Sequence, residues 1–433
     1  MGKRALLLSL GVFVVAGAVA VLAVNAADKK KPEKSEAARA EKSQPAAADE
    51  KKEKWAPAVE PKPLSDNTRR GLKWLAEHQL DSGAWGQGEE SRQMGGGAKM
   101  AEVPSVADTC VATLALIRSG STPSQGEYAK NSLRGVAFVC SQIEESDKES
   151  LYITDTRNTR VQGKLGPYID TFMAALLLPE VQDKMPNPEG NQRVSAALDK
   201  VLAKMQKHQK QDGGWSDQGW AATLSQGIAT KGLNRARQAG KDVSDKALNL
   251  AAEYSKEQFD QKSAKFSAAG SAGVELYSAA ANYGGLADSA NTDMQREADA
   301  RKRLAEAKND KDKEEAEAQL KSIEETREEL KAAEQAVIAK LDDKDFIAGF
   351  GSNGGEEFLS YMNIGEGLVI KGGDEWKAWD KSISQNLDRI QNKDGSWTGH
   401  HCITGRTFCT SAALLVLMVD RAPAPLAGDM QRR

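Results

Sequence analysis

Three segments of this 433-residue chain repeat one short pattern, and the pattern limits the fold more than any other feature. Gln79…Gly83-Ala-Trp85, Gln209…Gly213-Gly-Trp215 and Gln391…Gly395-Ser-Trp397 each set a glycine two residues before a tryptophan and a glutamine six residues before it. Each closes a stretch of helical periodicity: Asp66 to His78, Val194 to His208, and Trp376 to Ile390. Each leads into an apolar helix of small residues: Val106 to Arg118, Trp220 to Leu233, and Arg406 to Val419. A glycine lets the chain leave a helix at positive φ. A tryptophan buries a large flat surface between neighbouring helices. A glutamine amide can satisfy helix-end groups nearby. The unit therefore staples one helical hairpin to the next.

The spacing shows how many hairpins there are. Trp85 and Trp215 lie 130 residues apart, and Trp215 and Trp397 lie 182 apart. A charged insert, residues 291–343, accounts for most of the difference. Degenerate pairs fill the gaps. Helix Ser132 to Ile143 precedes apolar Tyr168 to Leu178. Ser244 to Phe259 precedes Ser271 to Tyr283. Ala332 to Leu341 precedes Glu356 to Ile370, after the glycine-rich turn 349–355. Six outer helices thus alternate with six inner ones. The inner set is rich in Ala, Gly, Ser and Leu, which favours a closed ring over an open solenoid. The expected fold is all-α, an (α/α)6 toroid spanning residues 64–423. A long charged helical hairpin enters at the fifth outer helix, and its 3-4 spacing of Leu320, Ile323, Leu330, Val337 and Leu341 has coiled-coil character, interrupted by Arg327 and Glu334.

Arg70-Gly71-x-x-Trp74-Leu75-x-x-x-Gln79-x-x-x-Gly83-x-Trp85 resembles the complete QW repeat of squalene–hopene cyclases. The looser Asp212-Gly-Gly-Trp215 form resembles protein prenyltransferase β-subunits and the thioester-containing domain of complement-type proteins. The resemblance implies a toroid with a central cavity, and such motifs describe fold better than activity. The catalytic signatures of those families are missing. No Asp-x-Asp-Asp cluster heads an inner helix. No basic cluster suits a diphosphate, since Lys231 and Arg406 stand alone. The thioester sequence is absent, and Cys140-Ser-Gln142 does not replace it.

The N-terminus carries an export signature. Lys3 and Arg4 precede an uncharged apolar run, Ala5 to Val24, and Val24-Asn25-Ala26 offers a cleavage site. Residues 1–27 read as either a cleaved signal peptide or a signal-anchor, that is, a transmembrane helix over 5–24 linking the chain to a membrane. The expected location is periplasmic or cell-surface. Residues 28–63 mix Lys, Glu, Ala and Pro and read as a disordered charged tether. Residues 424–433 read as a disordered tail. A net charge of −3 argues against a nucleic-acid partner.

Closing the ring makes the first and last hairpins neighbours. Asp108 and Cys110 open the first inner helix, and His400, His401, Cys402, Arg406 and Cys409 surround the start of the last. In an exported protein, four cysteines permit two disulfides, with Cys110–Cys140 and Cys402–Cys409 as candidate pairs. Buried free thiols are a second reading. A third is zinc, because Asp108-x-Cys110 followed by a later His resembles part of the prenyltransferase metal site. No cofactor is required by the motifs. The expectation is a non-catalytic exported toroid that binds an unidentified protein or ligand. The alternative is an enzyme working in the central cavity on a lipid or glycan, in the manner of a cyclase or prenyltransferase, with or without zinc.

Overall fold

The computed structural model describes residues 55–88, 102–351 and 353–425. Its helices are α1 (Asp66–Glu77), α2 (Val106–Arg118), α3 (Ala129–Glu145), α4 (Arg160–Leu165), α5 (Ile169–Val181), α6 (Pro188–His208) and α7 (Ala222–Gln238), then α8 (Asp245–Glu257), α9 (Glu275–Glu306), α10 (Asp310–Ile338), α11 (Lys344–Ala348), α12 (Gly355–Lys371), α13 (Gly373–Ile390) and α14 (Arg406–Leu417). Short strands β1 (Trp55–Pro57) and β4 (Pro423–Pro425) pair antiparallel, as do β2 (Phe259–Asp260) and β3 (Lys265–Phe266).

Helices α2, α5, α7, α12, α14 and the first half of α9 are buried on almost every face. In the order α2, α5, α7, α9, α12, α14 each packs on the next, and α14 packs back on α2, so the inner ring is closed. Small residues make this possible: a Cβ added at Gly232 of α7 would lie 2.8 Å from the Ala175 side chain of α5. The outer helices α1, α3, α6, α8, α10 and α13 are amphipathic instead. In α1 the buried residues Thr68, Gly71, Leu72 and Leu75 recur at helical spacing and make one apolar stripe. Hydrogen-bonding caps start several of them: Ser65 for α1, Asn187 for α6, Ser244 for α8 and Asn309 for α10.

The three staples have one geometry. Each indole donates to a carbonyl ten residues upstream: Trp85 to Leu75 at 2.8 Å, Trp215 to Met205 at 2.8 Å and Trp397 to Leu387 at 2.9 Å. The tryptophan backbone N–H donates to the following inner helix, at Thr109, Gln226 and Thr410 respectively. Each glutamine amide donates to its own turn glycine and also to the first turn of the next outer helix. Gln79 reaches Asn131, Gln209 reaches Ala247, and Gln391 reaches Asn67, at 3.0, 3.1 and 2.8 Å. The third staple thus joins α13 to α1 and closes the outer ring. Gly83, Gly213 and Gly395 have φ of 87°, 85° and 95°. A Cβ there would also fall 2.8, 2.0 and 2.8 Å from the carbonyl oxygens of Arg134, Leu250 and Arg70 on the next outer helix. Glycine is required twice over at these positions.

The charged arm is α9 and α10, joined at Asn309. Its leading limb continues the fourth inner helix without a break, so the arm grows out of the ring rather than being tied on by loops. Ala316, Ile323, Ala333 and Val337 are buried, and Arg327 crosses to Glu297 of α9 at 2.7 Å. The interrupted seam is completed within the chain.

Four expectations change. The segment Ala5–Val24 lies outside the described residues, and among those described no helix is long and apolar enough to cross a membrane, so the transmembrane helix is not found. The end of the expected tether is ordered: Trp55 pairs with Pro425, and Lys62 donates to Asp420 (2.7 Å) and Asp380 (2.5 Å). Backbone pairing and these charged bonds hold a segment whose composition alone promised no burial. The start of the expected tail, Ala424 and Pro425, is the other half of that pair. Finally, all four cysteines are unbridged and buried.

Candidate functional site

The inner helices run parallel, so their N-termini gather at one end of the ring and their C-termini at the other. The two ends carry opposite chemistry.

At the N-terminal end, acids from three inner helices are buried. Asp108 of α2 accepts from Ser105 Oγ at 2.6 Å on Oδ2, and its Oδ1 is buried without a hydrogen-bond partner. Asp170 of α5 accepts from the Ala107 backbone at 2.9 Å and from Gln162 at 2.7 Å. Glu356 and Glu357 open α12 and are fully buried. Glu356 accepts from the Ile403 backbone at 3.1 Å on Oε2, and its Oε1 has no hydrogen-bond partner. Glu357 Oε1 accepts from the Tyr277 hydroxyl of α9 and from the Phe350 backbone at 3.1 Å, while His401 Nε2 lies 3.5 Å from Oε2.

Burial governs the protonation of this group. It pushes Asp108 up to about 7, with the charge of nearby Asp170 adding to the effect against the Ser105 bond. It pushes Glu356 up to about 8, helped by Glu357. Asp170 and Glu357 move up for the same reason. Cations are kept to the rim. Lys164 lies close enough to lower Glu356 slightly, and Arg157 does the same for Asp170. The rim also bears exposed aromatics. Phe350 is 50% exposed and Trp220 39% exposed, their rings edge-to-face at 5.6 Å. Lys164 sits over Trp220 at 4.9 Å and His401 against Phe350 at 5.3 Å.

At the C-terminal end, opposite charges are paired. Arg118 (α2) meets Glu180 (α5) at 2.9 Å and Glu366 (α12) at 2.5 Å. Arg235 (α7) meets the same two acids at 2.9 and 2.7 Å and Asp288 (α9) at 3.3 Å. Lys231 (α7) meets Glu366 at 2.7 Å and Asp288 at 2.6 Å. Three cations and three carboxylates from five inner helices plug this end of the ring. Burial alone would raise Glu366, but Arg235, Lys231 and Arg118 hold it well below the usual carboxylate range. Lys231 is therefore not isolated, as its sequence neighbourhood suggested; its partners come one per helix from elsewhere.

The expected seam is only partly assembled. Cys409 lies close enough to both Asp108 and Glu356 to feel their charges, and its thiol bonds the Ile403 carbonyl at 3.3 Å. Cys402, at φ 53°, is beside Glu356 and Lys164. Cys110 faces Asp170 and Cys140. His400 is exposed, its backbone bonded to Asn353 at 2.7 Å, and Arg406 pairs with Asp394 at 2.6 Å on the rim. Among the described residues no three His, Cys, Asp or Glu side chains form a metal-binding group, so Asp108, Cys110 and a histidine are not brought together. Burial pushes Cys140 and Cys402 up to about 11 and raises Cys110 and Cys409 as well, which favours the protonated thiol at all four.

Asp170, Tyr277, Glu356 and Glu357 were not among the residues read from sequence. A usable signal was present: Asp108, Asp170 and Glu356 each fall in the first turn of an otherwise apolar inner helix. An acid there answers the helix dipole, which makes it common and therefore easily overlooked.

No family model matches the sequence, and no curated protein matches it. Among solved structures, a glycosidase variant is similar over 83% of this chain and 96% of its own, at 13% identity and a TM-score of 0.32. A likeness that loose carries no argument about function. The toroid stands on the closed contacts of its own helices.

Proposed function

We propose that the chain is an acid–base enzyme acting on a glycan at the N-terminal mouth of the ring. The observation that carries this reading is Glu356. It is a fully buried carboxyl that burial and Glu357 keep protonated at neutral pH, with one oxygen unbonded. In this proposal a bound glycan displaces the rim that covers that oxygen and takes its proton on the leaving group, and a donor with a pKa near the working pH transfers it best. Asp108, at about 7, is the second carboxyl of the mouth and in its ionised form takes the proton of the water that attacks the glycosidic carbon. Tyr277 and the Phe350 backbone orient Glu357, which keeps Glu356 protonated. Trp220 and Phe350 offer flat apolar faces beside polar rim groups, the combination that suits a sugar ring with apolar faces and hydroxyl edges.

The test is release of reducing ends from a panel of defined polysaccharides. Glu356→Gln keeps the shape and is expected to lower kcat by about 10²- to 10⁴-fold. Trp220→Ala is expected to raise KM with kcat little changed. Full activity in Glu356→Gln would end the proposal.

A second reading, glycan binding without catalysis, is favoured by the bonds these acids already make. Asp170, Glu356 and Glu357 each hold a backbone N–H of a neighbouring segment, as structural staples do. Saturable binding that is lost in Trp220→Ala, with no turnover of any polysaccharide, would select it.

Lys3, Arg4, the apolar run and Val24-Asn25-Ala26 support an extracytoplasmic site for this activity as part of the same proposal. N-terminal sequencing of protein from fractionated cells is expected to begin at Ala27. An intact Met1 in the cytosolic fraction would overturn export.

A further inference from the structure

We infer that a cavity at the C-terminal end of the ring binds a small organic anion, one with a carboxylate or phosphate head and an apolar body. The cavity measures about 240 Å³ and lies where β1 and β4 cross the last turns of α2 and α5. That volume equals the space of about eight waters in the liquid. It is independent of the carboxyl mouth, which lies at the other end of the inner helices.

The walls divide by chemistry. Pro57, Pro423 and Ile117 form an apolar side. Arg118, Lys184 and Arg421 bring three positive charges, and Glu180 brings the one negative charge among the described lining residues. Glu180 is already held by Arg118 and by Arg235, each at 2.9 Å. The C-terminal ends of α2 and α5 add about half a negative charge apiece. Arg118 and Glu180 belong to the neutral plug, so Lys184 and Arg421 against the two helix ends leave the lining positive.

Donors are also left over. The Trp55 indole lines the cavity, and its Nε1–H is buried with no acceptor. Arg118 donates three hydrogen bonds, to Glu180 and Glu366, from a guanidinium that has five N–H groups. Lys184 is exposed at the edge and reaches the opening without a structural bond to break. A buried donor with no partner is unfavourable until an acceptor arrives, and bonds from charged donors are the stronger kind. An oxyanion head between Lys184, Arg421 and the Trp55 N–H meets that need, with its apolar body against the proline side.

The experiment follows indole N–H resonances in the full-length protein labelled with ¹⁵N-tryptophan. Trp55→Phe, which keeps an aromatic ring, assigns the Trp55 signal. Benzoate, phenyl phosphate and the neutral benzyl alcohol are titrated to millimolar concentration. The Trp55 signal is expected to move saturably with benzoate or phenyl phosphate, and which of the two acts identifies the head group. Lys184→Gln, at an exposed position that leaves folding intact, is expected to weaken that binding about tenfold. The inference fails if the Trp55 signal ignores both anions, if benzyl alcohol moves it equally, or if Lys184→Gln binds as well as the parent.

Discussion

The two ends of the ring are built from the same six helices and carry comparable numbers of buried acids, yet they handle charge in opposite ways. At the C-terminal end each acid has a guanidinium or ammonium within about hydrogen-bond distance, and Glu366 is held ionised. At the N-terminal end the acids sit in two like-charged pairs, Asp108 with Asp170 and Glu356 with Glu357, cations stay on the rim, and Asp108 and Glu356 hold their protons near neutral pH. Burying a charge is costly unless it is paired. One end meets that cost with counter-charges and gains a rigid plug. The other meets it by staying protonated and gains groups able to exchange a proton. Burial alone therefore does not mark a reactive acid; the missing counter-charge does.

The largest effect that tests this contrast comes from the plug. Glu366→Ala leaves Arg118, Lys231 and Arg235 undercompensated and is expected to cost about 3–5 kcal/mol in chemical denaturation. A loss below about 1 kcal/mol would mean that the paired end is not a structural keystone. Next is the mouth. Glu356→Gln removes a group that resists ionisation, and at pH 8.5 it is expected to stabilise the fold by about 1–3 kcal/mol, with little change at pH 5. Equal destabilisation at both values would make the two ends alike.

The pH profile sharpens the point with a smaller signal. Asp108 and Glu356 have folded pKa values of about 7 and about 8, above their ordinary 3.8 and 4.5. The stability they contribute is complete below the ordinary values and is lost as pH rises through 7 and 8. Glu366 is depressed, so its contribution is present above 4.5 and is lost as pH falls below that value. Thermal unfolding is expected to show a maximum at mildly acidic pH. In Glu356→Gln the alkaline limb flattens and the acid limb is unchanged. The smallest effect belongs to a pair remote from both ends: Arg327→Ala breaks a half-exposed bridge to Glu297 and is expected to change stability by less than about 0.5 kcal/mol.

The ring was legible because its evidence is local. Each Gln…Gly-x-Trp unit performs its bonding within a few residues of sequence and one neighbouring helix, so the pattern survives in one dimension. The arm was legible in outline, but its continuity with the fourth inner helix was not, since the apolar and charged halves of α9 read as separate segments. The mouth was half legible. Asp108, His401, Cys402 and Cys409 were singled out, although Cys402 and His401 proved to serve α12 rather than the α2–α14 seam. The plug was invisible. Arg118 and Glu366 are 248 residues apart, and no short window contains both members of any of its pairs. Of the cysteine readings, the disulfide one failed and the buried free thiols held, for a different reason. The N-terminal export signature suggested bridges, but all four thiols are buried and none is bonded to another.

The pairing of Trp55 with Pro425, together with the third staple from Gln391 to Asn67, has a consequence for how the chain can be cut and rejoined. The joint between the last hairpin and the first is made by the same bonds as an internal joint, so the ring has no obligatory first unit. A circular permutant that links residues 55 and 425 with a short connector and opens the backbone at the exposed Asn309 turn should retain all three staples. The order in which the hairpins are synthesised then becomes a variable that can be changed without altering the folded ring.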